Sequence, residues 1–249
     1  MSRMQFMNSE IDNLTMQETL QAIDRLIQED RSAYVVTPNV DHIVQLETSK
    51  ELQAVYENAS LILTDGKPLL WIAKWYGTPI KEKISGSDLF PLLCDMAAKK
   101  GYKMFFLGAA EGVAAKAAEN LANKFKGLQV VGTYSPPFGF EKNQDEMDKI
   151  KSMIKEAAPH ILIVGLGCPK QEKFMYHHCK ELGVPISFGL GASFDFEAGN
   201  IKRAPRWMSN HGLEWLFRIT QDPKRMAKRY LVDDRKILGL AIKYRKENR

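Results

Sequence analysis

The alternation of short apolar runs with longer amphipathic segments limits this chain to few folds. Strands joined through helices of ten or more residues run parallel, with right-handed crossovers. Strands that are apolar along their whole length need cover on both faces. The apolar runs lie at residues 33–37, 61–64, 103–107, 128–132, 160–164 and 185–188, and helical patterns lie at 16–28, 40–58, 87–99, 112–125, 144–157 and 170–182. The sequence therefore predicts an α/β fold, a Rossmann-like and mostly parallel sheet with helices on both faces, over residues 1–201.

The last 48 residues differ from the rest in charge. Residues 202–249 contain fourteen lysines and arginines against five acidic residues, whereas the whole chain carries a net charge of only +5. This asymmetry predicts a basic, helical C-terminal appendage with an anionic partner: phosphate, lipid headgroups or nucleic acid. A solvated helix face without a partner is the alternative. Nucleic acid is disfavoured, because the segment has no known binding motif and no aromatic stacking platform among its charges.

The remaining composition bears on compartment and cysteine chemistry. The chain has no secretory signal pattern and no apolar stretch of the ~18 residues that a membrane span needs. Its three cysteines lack the spacing of a disulfide framework or a metal site, which favours a reducing, cytoplasmic setting. Cys168 lies in a glycine-rich loop, but His177 and His178 fall on the following helix. They are better read as surface residues than as the base of a cysteine nucleophile.

Two glycine-rich loops follow predicted strands. One is Gly165-Leu-Gly-Cys-Pro-Lys-Gln-Glu172, and the other runs from Gly189 to Gly199 and continues to Arg203. Glycine lets backbone N–H groups approach a phosphate closely, and a helix starting just beyond favours an anion. Loops at the carboxyl ends of strands form the ligand crevice of open α/β sheets. Two such loops predict one anion-binding crevice, whereas ordinary tight turns are the alternative.

Polar residues follow other predicted strands as well. Thr37-Pro-Asn-Val-Asp41 follows the first strand, and Thr64-Asp-Gly66 follows the second. Asp65 is a candidate general base, with a helix N-cap as the alternative role. Ser85-Gly-Ser-Asp88 offers hydroxyl and amide groups to a sugar or phosphate, and Phe106-Leu-Gly108 begins a further glycine turn.

A dinucleotide cofactor site fits the first glycine loop poorly. Gly165-Leu-Gly-Cys-Pro-Lys170 begins like G-x-G-x-x-G, but lysine replaces the third glycine. No acidic residue stands at a strand end about 20 residues further on. Nucleotide phosphate binding without hydride transfer is therefore the better interpretation, and a nucleotide-dependent oxidoreductase is a remote alternative.

Taken in order, these motifs resemble those of the WecG/TagA/CpsF glycosyltransferases. The resemblance extends through Gly212-Leu-Glu-Trp-Leu-Phe-Arg218 and Pro223-Lys-Arg225. It implies an inverting transferase that moves a sugar, most often N-acetylmannosamine, from a UDP donor to a polyprenyl-diphosphate-linked acceptor in cell-wall or surface polysaccharide synthesis. UDP-glucose or a UDP-hexuronic acid is the alternative donor. The enzyme would act at the inner face of the plasma membrane as a peripheral protein.

The resemblance also implies roles for individual residues. Asp65 corresponds to the family's proposed base, and Thr37 and Asn39 correspond to its Thr/Asn pair. Apart from the resemblance, Asp41 and Asp88 are the next candidates if Asp65 is not the base. Lys83 stands where relatives often carry arginine, so it keeps the charge but loses the bidentate fork. The expected substrate-binding residues are Gly66, Lys83, Gly86, Ser87, Asp88, Gly108, Gly165, Gly167, Pro169, Lys170, Gln171, Glu172, Gly191, Phe194, Asp195 and Arg203.

The C-terminal appendage is expected to serve both the chemistry and the membrane. The chain has no Asp-x-Asp metal motif, so Arg218 and Arg225 are expected to stabilise the leaving diphosphate without a metal. Beyond Asp234, apolar residues alternate with cations as in a helix that lies in the headgroup plane, farther from the chemistry. An oligomer contact is the alternative use of this segment, and Trp207, Trp215 and Phe217 could pack the appendage onto the body.

Overall fold

The computed structural model of the chain describes residues 3–247, and the side chains of Arg206, Asn210, Arg225 and Glu247 lie outside that description. The strands are β1 (Arg3–Phe6), β2 (Ser9–Asp12), β3 (Ala33–Val36), β4 (Leu61–Ile62), β5 (Lys103–Gly108), β6 (Gln129–Tyr134), β7 (Ile161–Gly165) and β8 (Ile186–Gly189). The helices are α1 (Met16–Glu29), α2 (Val40–Leu46), α3 (Lys50–Glu57), α4 (Lys67–Tyr76), α5 (Gly86–Lys100), α6 (Val113–Lys124), α7 (Gln144–Ala157), α8 (Lys170–Leu182), α9 (Gly191–Ala198), α10 (Arg206–Asn210), α11 (Glu214–Gln221), α12 (Pro223–Lys228) and α13 (Lys236–Glu247). A 3-10 turn covers Phe140–Lys142, and a π-helical turn covers Arg229–Asp233.

The chain forms two compact units. The sheet unit comprises Glu18–Val36 and Gly86–Ile201, and the cavity unit comprises Met1–Gln17, Thr37–Ser85 and Lys202–Arg249. The boundary after Ile201 coincides with the predicted start of the appendage. The appendage shares a compact unit with residues 37–85. The division into a body of residues 1–201 and an appendage of residues 202–249 stays a prediction.

In the sheet unit, parallel strands lie in the order β3-β8-β7-β5-β6. The middle strand β7 is buried along its whole length, as a strand covered on both faces must be. Its neighbours are held in register by pairs such as Phe106 with Ile163 and Ile163 with Phe188. The α/β class with a parallel sheet and flanking helices is therefore confirmed.

The cavity unit contains the hairpin β1–β2, strand β4 and the helices of residues 40–85 and 206–247. β1 and β2 pair antiparallel, and Asp12 accepts a hydrogen bond from the backbone N–H of Ile62 at 2.9 Å. Arg3 forms an ion pair with Asp12 at 3.4 Å. These contacts attach the hairpin to β4, since the Asp12 carboxylate is buried and both partners satisfy it.

The C-terminal helix α13 packs against other parts of the cavity unit. Glu47, at the end of α2, accepts hydrogen bonds from Lys243 at 2.5 Å and Tyr244 at 2.8 Å. The Tyr76 hydroxyl donates to the carbonyl of Ala241 at 2.7 Å, and Ile237 is buried. Within residues 3–247, no helix has both the length and the apolar character that crossing a bilayer requires.

Candidate functional site

A cavity of about 380 Å³ in the cavity unit brings together the residue expected as base and part of the basic appendage. Its wall is mostly apolar, and the charged groups lie among apolar side chains. The residues that line it include Asn39, Asp65, Gly66, Lys83, Glu214, Trp215, Arg218, Arg229, Tyr230, Asp234, Arg235, Ile237 and Leu238. The expectation that residues beyond Asp234 lie away from this site is wrong, because Arg235, Ile237 and Leu238 line it. The tertiary packing of α13 and of the residue just before it places them at the cavity wall.

Backbone geometry presents Asp65 to this cavity. Its N–H donates to the carbonyl of Pro38 at 2.8 Å, and the carbonyl of Thr64 accepts from Ile84 at 2.8 Å. Gly66 is the N-cap of α4 with a φ of 98°, which a residue with a side chain rarely adopts. The cap makes no side-chain hydrogen bond. Asp65 is therefore not the N-cap of α4, and its carboxylate does not serve that structural role.

The surroundings of Asp65 suit a base that works near neutral pH. Burial raises the pKa of Asp65 to about 6, and the charge of Glu214 acts in the same direction, whereas Arg218, Lys83 and His42 lower it. A carboxylate of normal pKa is a poor proton acceptor at neutral pH, and a raised pKa improves it. Carboxyl groups whose pKa is raised in this way are found preferentially at catalytic sites.

Arg218 is the appendage cation that acts on Asp65. It forms an ion pair with Glu214 at 2.7 Å, four residues earlier on α11. Burial disfavours its charge, but Glu214, Tyr230 and Asp65 together raise the pKa of Arg218 above its ordinary value. The guanidinium thus stays charged in a largely apolar cavity, which makes its field strong there.

Asn39 lines the same cavity and begins α2. Its Oδ1 accepts from the backbone N–H of Asp41 at 3.1 Å and of His42 at 3.4 Å, and His42 completes a capping box. Lys83 also lines the cavity, with its Nζ 3.4 Å from the Ser85 hydroxyl. Thr37 is buried and is not among the described residues that line the cavity.

The structure says less about the surroundings of two further predicted residues of the appendage, Arg225 and Arg203. Arg225 belongs to α12, but its side chain lies outside the described residues. Arg203 is exposed, in the segment that precedes α10. Their predicted contacts with substrate stay predictions.

In the sheet unit, the two glycine-rich loops come from neighbouring strands, as expected. β7 and β8 pair side by side, and β5 pairs with β7 on its other side, with Gly108 opposite Gly165. A Cβ on Gly108 would lie 2.4 Å from the Gly165 carbonyl oxygen, and one on Gly165 would lie 2.6 Å from the Phe194 ring. A Cβ on Gly191 would lie 2.9 Å from Gln171 Oε1. Close packing alone therefore requires glycine at Gly108 and Gly165, whereas at Gly191 the Gln171 side chain would have to shift.

The side chains around these loops differ in what they offer a ligand. Gln171 and Glu172 are buried beside the glycines, and Gln171 donates to Glu172 at 2.9 Å. Phe194 is fully buried against Phe90 and Phe106, so its position favours packing over substrate contact.

Other predicted residues of the sheet unit lie on loops and helix ends. Lys170 pairs with Glu141 at 2.6 Å, and Asp195 accepts from Asn200 at 3.4 Å. The remaining ones are Gly86, Ser87 and Asp88 in the first turn of α5, and Gly167 and Pro169 between β7 and α8.

Sequence reasoning missed several residues of the cavity. Glu214, Arg229, Tyr230 and Asp234 all line it, and burial raises the pKa of Asp234 to about 6, with Asp41 acting in the same direction and Arg229 opposing. The spacing of Glu214 and Arg218 is a recognisable helix ion-pair signal. No local signal indicates Arg229, because its contact with Asn39 spans 190 residues. Asp234 in turn lies beside Arg229, so it shares that dependence on tertiary folding.

Comparisons with known proteins identify the family of the chain. The model of the family described as "Glycosyl transferase WecG/TagA/CpsF family" matches residues 4–249. The chain is 34% identical over 200 residues, 80% of its length and 75% of the relative's, to the N-acetylglucosaminyldiphosphoundecaprenol N-acetyl-beta-D-mannosaminyltransferase of Bacillus spizizenii. It is 29% identical over 199 residues, with the same coverage, to the protein of that name from Bacillus subtilis. The chain therefore belongs to the WecG/TagA/CpsF family of glycosyltransferases.

Proposed function

We propose that this glycosyltransferase moves N-acetylmannosamine from a UDP donor to a polyprenyl-diphosphate-linked N-acetylglucosamine, with inversion at the anomeric carbon. The proposal is carried by the surroundings of Asp65. It lines a cavity together with Lys83 and Arg218, and burial raises its pKa to about 6. The names of the two Bacillus relatives supply the sugar and the acceptor. The product would enter cell-wall or surface polysaccharide synthesis.

Asp65 acts as general base in a single displacement. Its carboxylate accepts the proton of an acceptor hydroxyl while that oxygen bonds to the anomeric carbon of the donor. The bond from this carbon to the diphosphate oxygen breaks, and UDP leaves from the opposite face. Such a displacement on an α-linked donor gives a β-linked product, which agrees with the β-mannosaminyl transfer in the relatives' names.

Cations of the cavity unit meet the charge that develops on the leaving diphosphate. Arg218 and Lys83 line the cavity and both act electrostatically on Asp65, so they lie within range of the same reacting centre. Fixed cations in an apolar site stabilise a developing anion strongly, because no solvent has to reorganise. The reaction then needs no metal ion.

The apolar surface of the cavity unit suits an acceptor attached to a lipid. On α4, Trp71 and Trp75 are 55% and 45% exposed, and on α13, Leu238 and Ile242 are 69% and 52% exposed. The two helices touch, since Arg245 lies over the Trp75 ring at 4.1 Å. Exposed apolar side chains beside cations are typical of a surface that rests on an anionic bilayer. We place this surface on the cytoplasmic face of the membrane, as a peripheral attachment.

A donor panel tests the proposal directly. The full chain is incubated with a short-chain N-acetylglucosaminyl-diphosphate lipid and one UDP-sugar at a time, and the product is identified by mass. We expect transfer of N-acetylhexosamine from UDP-N-acetylmannosamine. Transfer only from UDP-glucose or a UDP-hexuronic acid would place the enzyme in exopolysaccharide synthesis. Binding of NAD(H) without any transfer would favour the oxidoreductase alternative.

A further inference from the structure

Arg229 lies between groups from two distant parts of the cavity unit. Its guanidinium donates to Oδ1 of Asn39 at 3.1 Å and lies 3.4 Å from the Asp41 carboxylate. On its own turn, Nε lies 3.9 Å from the Asp234 carboxylate, and the backbone N–H of Asp234 donates to the Arg229 carbonyl at 2.8 Å. One guanidinium therefore joins the π-helical turn of the appendage to the first turn of α2.

The side-chain hydrogen bonds of Asn39 all involve Oδ1, one of the two polar atoms of its amide group. Oδ1 accepts from the N–H groups of Asp41 and His42 and from Arg229, and it lies 2.9 Å from Nδ1 of His42. Nδ2 is on the other branch of the same planar amide, and it has no hydrogen-bond partner among the side chains and backbone groups that the structure describes. Nδ2 carries two N–H bonds, and since Asn39 lines the cavity, they can donate to a ligand bound there.

We propose that Arg229 is a positioning residue for the transfer reaction. By holding Oδ1 of Asn39, it fixes the amide so that Nδ2 can donate to a substrate oxygen in the Asp65 cavity. Asp41 and Asp234 in turn hold the guanidinium. The inference rests on the proposed function, because the Asn39 amide would contact the substrates of that transfer reaction.

The geometry supports this role beyond that of a surface ion pair. Arg229 is partly buried, with its side chain 26% exposed, and its Nε is buried without a hydrogen-bond partner among the described residues. The guanidinium therefore has three acceptor groups as neighbours: the carboxylates of Asp41 and Asp234 and the amide oxygen of Asn39. Its planar fork suits several acceptors at fixed angles, which lysine cannot reproduce.

A double-mutant cycle between Arg229 and Asn39 tests the inference. Asn39→Ser keeps an N-cap oxygen for α2 but removes the amide N–H groups. The full-length wild type, R229Q, N39S and the double variant are assayed for kcat with the donor and soluble acceptor that the wild type uses. We expect R229Q and N39S each to lower kcat about 10- to 100-fold, since a misplacement of about 1 Å can cost that much. The double variant should lie within about threefold of N39S.

Controls separate positioning from folding. Lys236→Gln removes the same charge from an exposed position seven residues further on and should keep the wild-type kcat. R229K keeps a cation between the two carboxylates, should keep the wild-type melting temperature, and should still lower kcat in an Asn39-dependent way. If R229Q or R229K costs as much in the N39S background as in the wild type, or if neither lowers kcat, the positioning role is refuted. A wild type that transfers sugar from no UDP donor would instead refute the proposed function, and the inference with it.

Discussion

Asp65→Asn is predicted to lower turnover and raise stability at the same time. The carboxyl has a pKa of about 6 in the folded chain against an ordinary value of 3.8. Each unit of pKa corresponds to about 1.4 kcal/mol, so ionised Asp65 costs the folded state about 3 kcal/mol relative to an ordinary carboxyl. The folded state favours the protonated form, and this cost is therefore absent below pH 4 and complete above pH 6. Asparagine has the same shape without the charge, so the gain should follow this pH dependence.

Chemical denaturation at pH 4 and pH 8 measures the stability effect. At pH 8, D65N should raise the free energy of unfolding by up to about 3 kcal/mol, and at pH 4 the gain should be close to zero. Asp148→Asn makes the same chemical change at an exposed position of α7 and should alter neither value by more than about 0.5 kcal/mol.

Turnover is measured on the same D65N preparation. Loss of a general base lowers kcat about 10²- to 10⁴-fold, while UDP binding should stay close to that of the wild type. A variant that is less stable at pH 8, or that keeps the wild-type kcat, would refute the assignment. The base would then have to be sought elsewhere, at Asp41, Asp88 or Asp234.

Three further predictions concern the rest of the cavity unit. Glu214→Gln removes a charge that raises the pKa of Asp65, so the acidic limb of kcat/KM should move to lower pH; a shift to higher pH would contradict this coupling. Activity should survive EDTA, and the use of arginine for the leaving group is wrong if chelation abolishes turnover and Mg²⁺ or Mn²⁺ restores it. The double variant Leu238→Gln/Ile242→Gln should bind anionic liposomes more weakly than the wild type, and equal binding would exclude α13 as the membrane contact. Arg218→Ala should instead lower kcat on a soluble acceptor without changing liposome binding.

Continuous apolar runs and helical periodicity were enough to predict most of the sheet unit. The predicted segments 144–157 and 170–182 coincide with α7 and α8, and all six predicted strands are observed as β3 to β8, five of them in the sheet unit. The predicted helix over residues 40–58 is instead two helices, α2 and α3. The Ser49 hydroxyl accepts from the Leu52 N–H at 3.2 Å and starts a new helix there. A local cap thus outweighed the continuous pattern.

The cavity unit was less predictable, because its organisation depends on tertiary contacts. The hairpin β1–β2 has only four residues a strand, and α4 follows Gly66 with a proline in its first turn, so neither has a long periodic pattern. The motif order identified Asp65, Asn39, Lys83 and Arg218. It could not identify Arg229, since folding alone brings it to Asn39 and Asp41, or Asp234, which lies beside Arg229.

The pH dependence of kcat/KM tests most directly whether Asp65 is the base. Asp65 and Asp234 line the same cavity and both have a pKa of about 6, so the wild-type profile alone does not distinguish them. The profile is therefore measured from pH 5 to pH 8 on the wild type, D65N and D234N. The wild type and D234N should lose about tenfold in kcat/KM per pH unit below pH 6, and D65N should have a flat residual rate. A flat profile for D234N with an acidic limb retained in D65N would contradict the account and make Asp234 the base.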